Sequence, residues 1–554
     1  MNRICPKCGR QLKVSGDCIA CGSSRKQSIG VIGSLVITAI TIAVIGLAVV
    51  GFNKIAGNPF EIISKLKSTA SGFYEVTVAS ENLPVPREPQ DTITLDQFAE
   101  LREYFENQQF EILNSIFEEY QKDFETNADN EFKLYDAYQV FGTTLPSYER
   151  LFEAWLEYSP AHYAPYLARA YYYDAIGWES RGYRWSKDTS DEQFSKMRFY
   201  FKKAYDDIDI SLSIKQNLLP AYMVLIGICN ATADDEGEEE NIRKALQLFP
   251  ATFLVRSQYM HAIEPRWGGS YSKMEYLAKE AEEHTEVNPR LSLLYGYIYC
   301  DQAKILAGKK QYKEAVTLYT KAMAYGDLWY FYEERAKVYY QLGELDDALE
   351  DVERSILLRP TMDRSYRLRS KIYYRKGEIN KSLADLHTAE LLKPAYSATQ
   401  RWKEWAGNNY LNKGHKLFEK DLNQAIEKYN ISIKFNPESA ETYYWRGLAY
   451  YRLKQPARAL EDLETSIDLD PHRFDSYLMV DYVLLETKEW DKIVRHWNQF
   501  LELEPDHSRA YLERAGTYYH KKEYAKSLAD LKAACDLGNE EGCKQYNMYK
   551  NKWR

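Results

Sequence analysis

A chain of 554 residues is too long for one hydrophobic core, so several domains or a stacked array are expected, and 28 % charged with 45 % hydrophobic residues suits a folded chain. The net charge of −9 is unevenly spread: residues 1–54 hold seven Lys/Arg against one Asp, net +6, and the other 500 are net −15. An acidic body without a long basic stripe argues against nucleic acid as a partner.

In chain order, the first feature is "CPKCGRQLKVSGDCIACG", two C-x-x-C pairs each followed by Gly. One turn can aim both sulfurs of a pair at one metal, and Cys5, Cys8, Cys18 and Cys21 make a closed tetrahedral set suited to structural zinc rather than catalysis. A redox C-x-x-C would need a βαβ context that 21 residues cannot supply. The segment (1–24) resembles the zinc-ribbon heads of many bacterial membrane proteins.

Residues 29–52 follow with 24 uncharged positions, "IGVIGSLVITAITIAVIGLAVVGF". This exceeds the ~20 residues that cross a hydrocarbon core, so a single transmembrane helix is expected. Arg3, Lys7, Arg10, Lys13, Arg25 and Lys26 precede it and only Lys54, Lys65 and Lys67 follow closely. The positive-inside rule keeps the N-terminus cytoplasmic and sends the rest across. The expectation is a single-pass protein of a bacterial inner membrane with its C-terminal body periplasmic or otherwise outside the cytoplasm.

Residues 53–92 read as a linker or stalk, because Pro84, Pro86 and Pro89 favour an extended spacer. Helical periodicity begins near Thr94, and 94–290 read as irregular helix pairs. "SPAHYAPYLARAYYYDAIG" and "LLPAYMVLIGICNA" look like worn repeat helices. Two segments, "GWESRGYRWSKDTSDEQF" and "EPRWGGSYSKM", resemble a bacterial domain of unknown function that accompanies tetratricopeptide repeats, over some 200 residues. Arg181, Trp185, Arg266 and Trp267 in them form a candidate ligand site, since Arg and Trp anchor many recognition surfaces. The competing reading is a structural plug with Gly268 and Gly269 permitting a tight turn. The acidic run Asp234–Glu240 reads as a solvated loop lacking the ligand alternation of a calcium loop.

Pro360, Pro394, Pro437, Pro471 and Pro505 recur at 34, 43, 34 and 34 residues. Counting each proline as position 32, Ala336, Ser370, Gly447 and Ala515 fall on position 8, and Ala348, Ser382, Ala459 and Ser527 on position 20. Small residues there let two helices approach. The pattern resembles the tetratricopeptide repeat over 296–539, so an all-α solenoid, right-handed in that family, is expected. The 43-residue interval predicts a lengthened helix around "YSATQRWKEWAGNNYLNKGHKLF". Asp481 and Ile493 at the small positions predict looser packing in one unit. Residues 540–554 read as a capping helix and tail.

The resemblance implies that the first helix of each unit lines a concave groove. It places Tyr340, Arg364, Arg367, Lys371, Tyr374, Arg375, Tyr451, Arg452, Arg509 and Tyr519 there, a basic, tyrosine-lined surface for a peptide carrying carboxylates. The Lys/Asn carboxylate clamp of chaperone-binding members is missing. Cys535 and Cys543, eight apart, have two readings: a disulfide in an oxidising compartment, as in related cysteine-bearing repeats, or two free thiols. Cys229 and Cys300 read as core.

The nine histidines are dispersed, and no P-loop, H-E-x-x-H or G-x-S-x-G appears. The sequence thus reads as a membrane-anchored adaptor, not an enzyme, that holds a protein or peptide in its repeat groove. The alternative is an envelope enzyme or small-ligand receptor with its site in 94–290.

Overall fold

The computed structural model describes residues 74–76, 83, 85–86, 91–182 and 188–552. Cys5, Cys8, Cys18, Cys21, the 29–52 span, most of the stalk and Trp185 lie outside the described residues. No described helix is long and apolar enough to cross a membrane.

The described residues from Val76 onward form one unit built of helices, with no strand among them. Ten helices make its first half: α1 (Leu95–Glu106), α2 (Phe110–Thr126), α3 (Glu131–Gln139), α4 (Tyr148–Tyr158), α5 (Tyr163–Arg181), α6 (Asp191–Ile214), α7 (Leu219–Thr232), α8 (Asp235–Leu248), α9 (Phe253–Ala262) and α10 (Tyr271–Ala281). Hairpins make the second: α11 (Leu294–Gly308) with α12 (Tyr312–Met323), α13 (Trp329–Leu342) with α14 (Leu345–Leu358), α15 (Asp363–Lys376) with α16 (Ile379–Leu392), and α17 (Ser397–Phe418) with α18 (Leu422–Phe435). They continue as α19 (Ala440–Arg452) with α20 (Pro456–Leu469), α21 (Phe474–Thr487) with α22 (Trp490–Leu503), α23 (Ser508–His520) with α24 (Tyr524–Asp536), and a final α25 (Glu540–Tyr549).

Local signals explain many boundaries. The Thr94 hydroxyl accepts from the Gln97 backbone and the Gln97 side chain accepts from the Thr94 backbone, a capping box. Gly343 and Gly377 end α13 and α15 at φ +86° and +79°, a left-handed turn that glycine adopts without cost. The small positions do the expected work: Ala336, Ala348, Ala459, Ser370 and Ser382 are fully buried, and Ser370 and Ser382 hydroxyls meet at 2.9 Å.

Between helices of a hairpin the structure adds a device absent from the sequence reading. Arg335, Arg369, Arg446 and Arg514 each grip an aspartate sixteen residues on, Asp351, Asp385, Asp462 and Asp530, by two bonds of 2.6–3.0 Å. Such paired, charge-assisted bonds fix both distance and angle. The α21–α22 unit has Val480 and His496 at these positions. There Asp481 accepts from the Trp497 indole at 2.9 Å, also sixteen residues on, while Ile493 and Trp497 are fully buried. The expected looser packing is therefore corrected: the larger side chains fill the space.

Two further expectations change. Residues 235–240 are the first turns of α8, capped by Asp234 accepting from Gly237 at 3.1 Å, where carboxylates complement the helix dipole. The described end of the stalk lies against the repeats, with the Pro86 carbonyl accepting from the Asp327 backbone at 2.7 Å. The lengthened helix is present as the 22-residue α17.

The sequence boundary near 290 does not separate two bodies. The Arg102 guanidinium donates to the Leu391 and Leu392 carbonyls at the end of α16. Asp136 on α3 pairs with Arg359 after α14, and the Thr361 hydroxyl donates to Asp136 at 2.9 Å. Glu131 anchors the start of α3: it accepts from the Thr252 hydroxyl at 2.7 Å, from the Phe253 and Leu254 amides at 3.0 Å, and from Asn288 at 2.8 Å. The N-terminal half is thereby clasped to the first repeats.

Candidate functional site

The clasp encloses space. A cavity of 510 Å³ lies where α3 and α5 face the segments after α14 and α16, and a second of 360 Å³ continues between α7, α9, α11 and α13. They share Tyr135, Gln139, Tyr171, Asp174, Trp178, Trp329 and Arg359, which form a waist. Tyr171, Asp174 and Trp178 fall at three- and four-residue steps on α5, so one helix face delivers all three.

Electrostatics at the waist are asymmetric. Arg359 is held by Asp136 and lies over the rings of Phe132, Tyr135 and Trp329 at 5.1, 5.5 and 5.3 Å. Asp174 makes no ion pair among the described residues. Enclosure by protein pushes its carboxyl up to about 7, opposed more weakly by Lys393 and by a hydrogen bond from Trp178. Enclosure likewise pushes the Tyr135 phenol up to about 12.

Of the candidate ligand residues from the sequence, the described ones, Arg181, Arg266 and Trp267, do not line this space. Arg181 closes α5 with its guanidinium 6.0 Å from the Trp178 ring. Arg266 is consumed by Glu264 at 2.7 Å and Asp301 at 2.8 Å, and Trp267 is 63 % exposed. Glu264 also takes Lys304 at 2.9 Å and His261 at 3.1 Å. These cations outweigh the effect of burial and hold its carboxyl down near 2. Gly269 sits where an added Cβ would lie 1.9 Å from the Ile263 carbonyl, so a tight turn is required there.

The groove residues are placed as follows. Tyr340, Tyr374 and Tyr451 form a ladder in which each meets the residue 35 positions on. Arg375 lies 4.7 Å over the Tyr340 ring and donates to its carbonyl at 2.5 Å, Tyr374 donates to Asn409 at 2.8 Å, and Tyr451 donates to Glu486 at 3.1 Å. Most of the basic residues already have acidic partners: Arg364 with Glu333 at 2.6 Å, Arg367 with Asp363, Arg452 with Glu419 at 2.8 Å and Arg509 with Glu513 at 3.3 Å. Lys371 lies 5.5 Å over Trp402, and burial with nearby Arg367 and Lys337 lowers the affinity of its amine for a proton. Arg364 faces the second cavity, so the inner end of the expected groove is covered by the chain itself. Farther along, aromatic side chains stay accessible: Trp405 at 52 %, Tyr482 at 45 % and Tyr519 at 46 %.

Cys535 and Cys543 are joined as a disulfide between α24 and α25. Cys229 and Cys300 are buried and unbridged. Burial, with Asp234 nearby, pushes the Cys229 thiol up to about 11, which makes it a poor nucleophile.

What the sequence reading missed is Asp174, Trp178 and Arg359. An aspartate inside the apolar run "YYYDAIGW" was the one available signal for the first two.

Comparison with known proteins follows this division. Models of the tetratricopeptide repeat match residues 414–454, 440–473 and 489–541, and a model of a domain of unknown function, DUF4034, matches 97–197. The second segment that carried the sequence resemblance, around Trp267, lies beyond that match. Among curated proteins, the chain is 23 % identical over 251 residues to the DnaJ homolog subfamily C member 7 homolog of Schizosaccharomyces pombe, covering 40 % of this chain and 52 % of that protein. It is 25 % identical over 227 residues to Hsp70-Hsp90 organizing protein 1 of Glycine max, covering 36 % and 40 %. The chain thus spans about half the length of these relatives, or less. Among solved structures, the TPR domain of P58(IPK) aligns at 15 % identity over 74 % of this chain and 98 % of that one, with a TM-score of 0.22. YrrB, titled a TPR protein with an unusual peptide-binding site, aligns at 17 % over 40 % and 93 %, with a TM-score of 0.19. The helix hairpins, their small-residue contacts and the family matches lead to one conclusion: the chain carries a DUF4034 domain followed by tetratricopeptide repeats.

Proposed function

We propose that this protein is a membrane-anchored adaptor that holds a protein segment on the outer repeats, α17 to α24. The observation that carries the reading is the division of the solenoid: its inner repeats are clasped by the N-terminal half, while Trp405, Tyr482 and Tyr519 are about half exposed beyond them. Exposed Trp and Tyr are the side chains that anchor protein interfaces. The name of one relative says that it organises Hsp70 and Hsp90, which supports an interaction role of this kind. Because most of the basic groove residues are answered internally, the partner is held chiefly by aromatic and apolar contact, with less reliance on its carboxylates.

Anchoring rests on the uncharged 29–52 segment and its charge flanks, and a structural zinc on the four N-terminal thiolates. The Cys535–Cys543 disulfide supports an oxidising compartment for the repeats, hence a cytoplasmic N-terminus and an extracytoplasmic body. A reporter active only outside the cytoplasm, fused after Arg554, is expected to be active; if it is inactive while a cytoplasm-active reporter at the same place is active, the topology is inverted.

The groove is tested by placing a photo-crosslinking amino acid at Tyr482 or Tyr519 in the full chain. One defined protein is expected to be captured from both positions and not from Tyr276, which is 72 % exposed on the N-terminal half. Equal capture from all three, or none from Tyr482 and Tyr519, refutes the groove.

A second reading, a small-ligand receptor, is favoured by the half-open cavity, which falls within the ~300–1,000 Å³ range of ligand sites. Its site lies between 94–290 and the repeats rather than within 94–290 alone.

A further inference from the structure

The waist joining the two cavities brings aromatic rings and a carboxylate together. Four aromatic side chains, Tyr135, Tyr171, Trp178 and Trp329, reach it from three different helices. Tyr135 and Tyr171 stand edge to face with ring centres 6.2 Å apart, so one presents a face where the other presents an edge. Two opposite charges there cancel, because Arg359 is paired with Asp136, which also accepts from the Thr361 hydroxyl. Asp174 is left over. Lys393, the cation that acts on it most strongly, lies 4.3 Å from the centre of the Tyr396 ring instead of on the carboxylate. Of the other charged residues that border the first cavity, Glu179 and Asp363 are acidic and Lys393 and Arg401 basic.

We propose that the waist binds an organic cation, an alkylammonium or quaternary ammonium group, seated against Trp178 and Tyr171 with Asp174 as its counter-ion, since Arg359 and Arg364 already cover Tyr135 and Trp329. Ring faces carry negative potential and attract such groups, most strongly where water is excluded. A neutral saccharide would use the rings but leave Asp174 uncompensated. A metal ion fits poorly, since no cluster of three His, Cys, Asp or Glu stands among the described residues. The proposal rests on the small-ligand reading of the cavity and gives it a chemical class.

The test is calorimetric titration of the purified full chain in detergent with choline and n-butylammonium. Its comparators are 3,3-dimethyl-1-butanol, the uncharged shape-mimic of choline, and maltose. The ammonium compounds are expected to bind, and the uncharged mimic at least tenfold more weakly than choline. Asp174→Asn, which keeps the side-chain shape, should weaken choline at least tenfold, and Trp178→Leu should weaken it by a similar factor. Tyr276→Ala, at an exposed side chain that lines neither cavity, should leave choline affinity unchanged. The proposal is overturned if the mimic matches choline, if Asp174→Asn binds choline as well as the native chain, or if neither ammonium compound binds. Maltose binding without ammonium binding would sink the cation and keep the receptor; no heat with any compound would sink both.

Discussion

Removing Arg359 tests whether the clasp between the two halves is an energetic bond or a passive contact. Arg359 and Asp136 are 5 % and 1 % exposed, and the guanidinium also covers three aromatic rings. Deleting one member of a buried pair leaves the other charged without compensation, a cost of about 3–5 kcal/mol. Arg359→Ala should fall at the upper end, because about 0.5–1 kcal/mol of ring contact per face is lost as well. Asp136→Ala additionally strands the Thr361 hydroxyl. Global melting is a poor readout in a repeat array, whose units open separately. Hydrogen exchange in peptides covering 131–139 and 359–363 reads the clasp directly. At about 1.4 kcal/mol per tenfold, each single substitution should speed exchange there by about two to three and a half powers of ten. The double change Asp136→Leu with Arg359→Met removes both charges and should cost less than either single alanine substitution. Single effects under about 1 kcal/mol, or a double variant as damaged as the sum of the singles, would refute a coupled clasp.

Asp481 gives a pH prediction. Burial pushes its carboxyl up to about 6, against about 3.9 unfolded, with the Trp497 hydrogen bond acting in the opposite sense. A raised value means the folded state prefers the protonated form, so stability is intact below pH ~4 and is lost as pH rises through about 6, by up to ~2–3 kcal/mol. Asp481→Asn can still accept from the indole. It should raise the unfolding midpoint of the α21–α22 unit at pH 7.5 and leave it unchanged at pH 4; a lower midpoint at pH 7.5 contradicts the assignment. Two glycines predict opposite signs. Gly269→Ala forces a Cβ into the Ile263 carbonyl and should cost more than about 2 kcal/mol, whereas Gly516 in α23 has nothing within 4 Å of its added Cβ and Gly516→Ala should gain about 0.5–1 kcal/mol by helix propensity. Equal effects in denaturant titrations would show that the turn near Trp267 tolerates movement.

The repeats were legible because their constraint is local and periodic: a small residue every 34 positions, a glycine between helices, a proline after them. The nine-residue insertion could be read for the same reason, as one helix made longer. Position 12 also picked out the three tyrosines of the ladder, yet their partners 35 residues on, and the carboxylates that answer Arg364 and Arg452, belong to neighbouring hairpins that a single helix register does not reveal. The acidic run at 234–240 was misread because composition alone does not separate a solvated loop from a helix start. Asp174 was hidden by its own neighbours, since a helix rich in Tyr and Ala looks like a repeat helix whether it faces protein or a cavity. The clasp was out of reach, because Asp136 and Arg359 are 223 residues apart and each alone is an ordinary charged residue.

That same separation has a consequence in time. The surfaces of α1 and α3 that meet Arg359, Thr361 and the Leu391–Leu392 carbonyls are complete early in synthesis, but their counterpart is not. At ~5–20 residues per second, roughly 10 to 50 s pass between the appearance of Asp136 and that of Pro394. Throughout that interval a nascent N-terminal half shows Tyr135, Trp178 and a lone buried-type aspartate to its surroundings. The clasp must then form as a late docking event between two partly folded pieces, with loop closure over more than two hundred residues opposing it. The chain's most vulnerable moment is therefore during its birth, before its own repeats arrive to cover it.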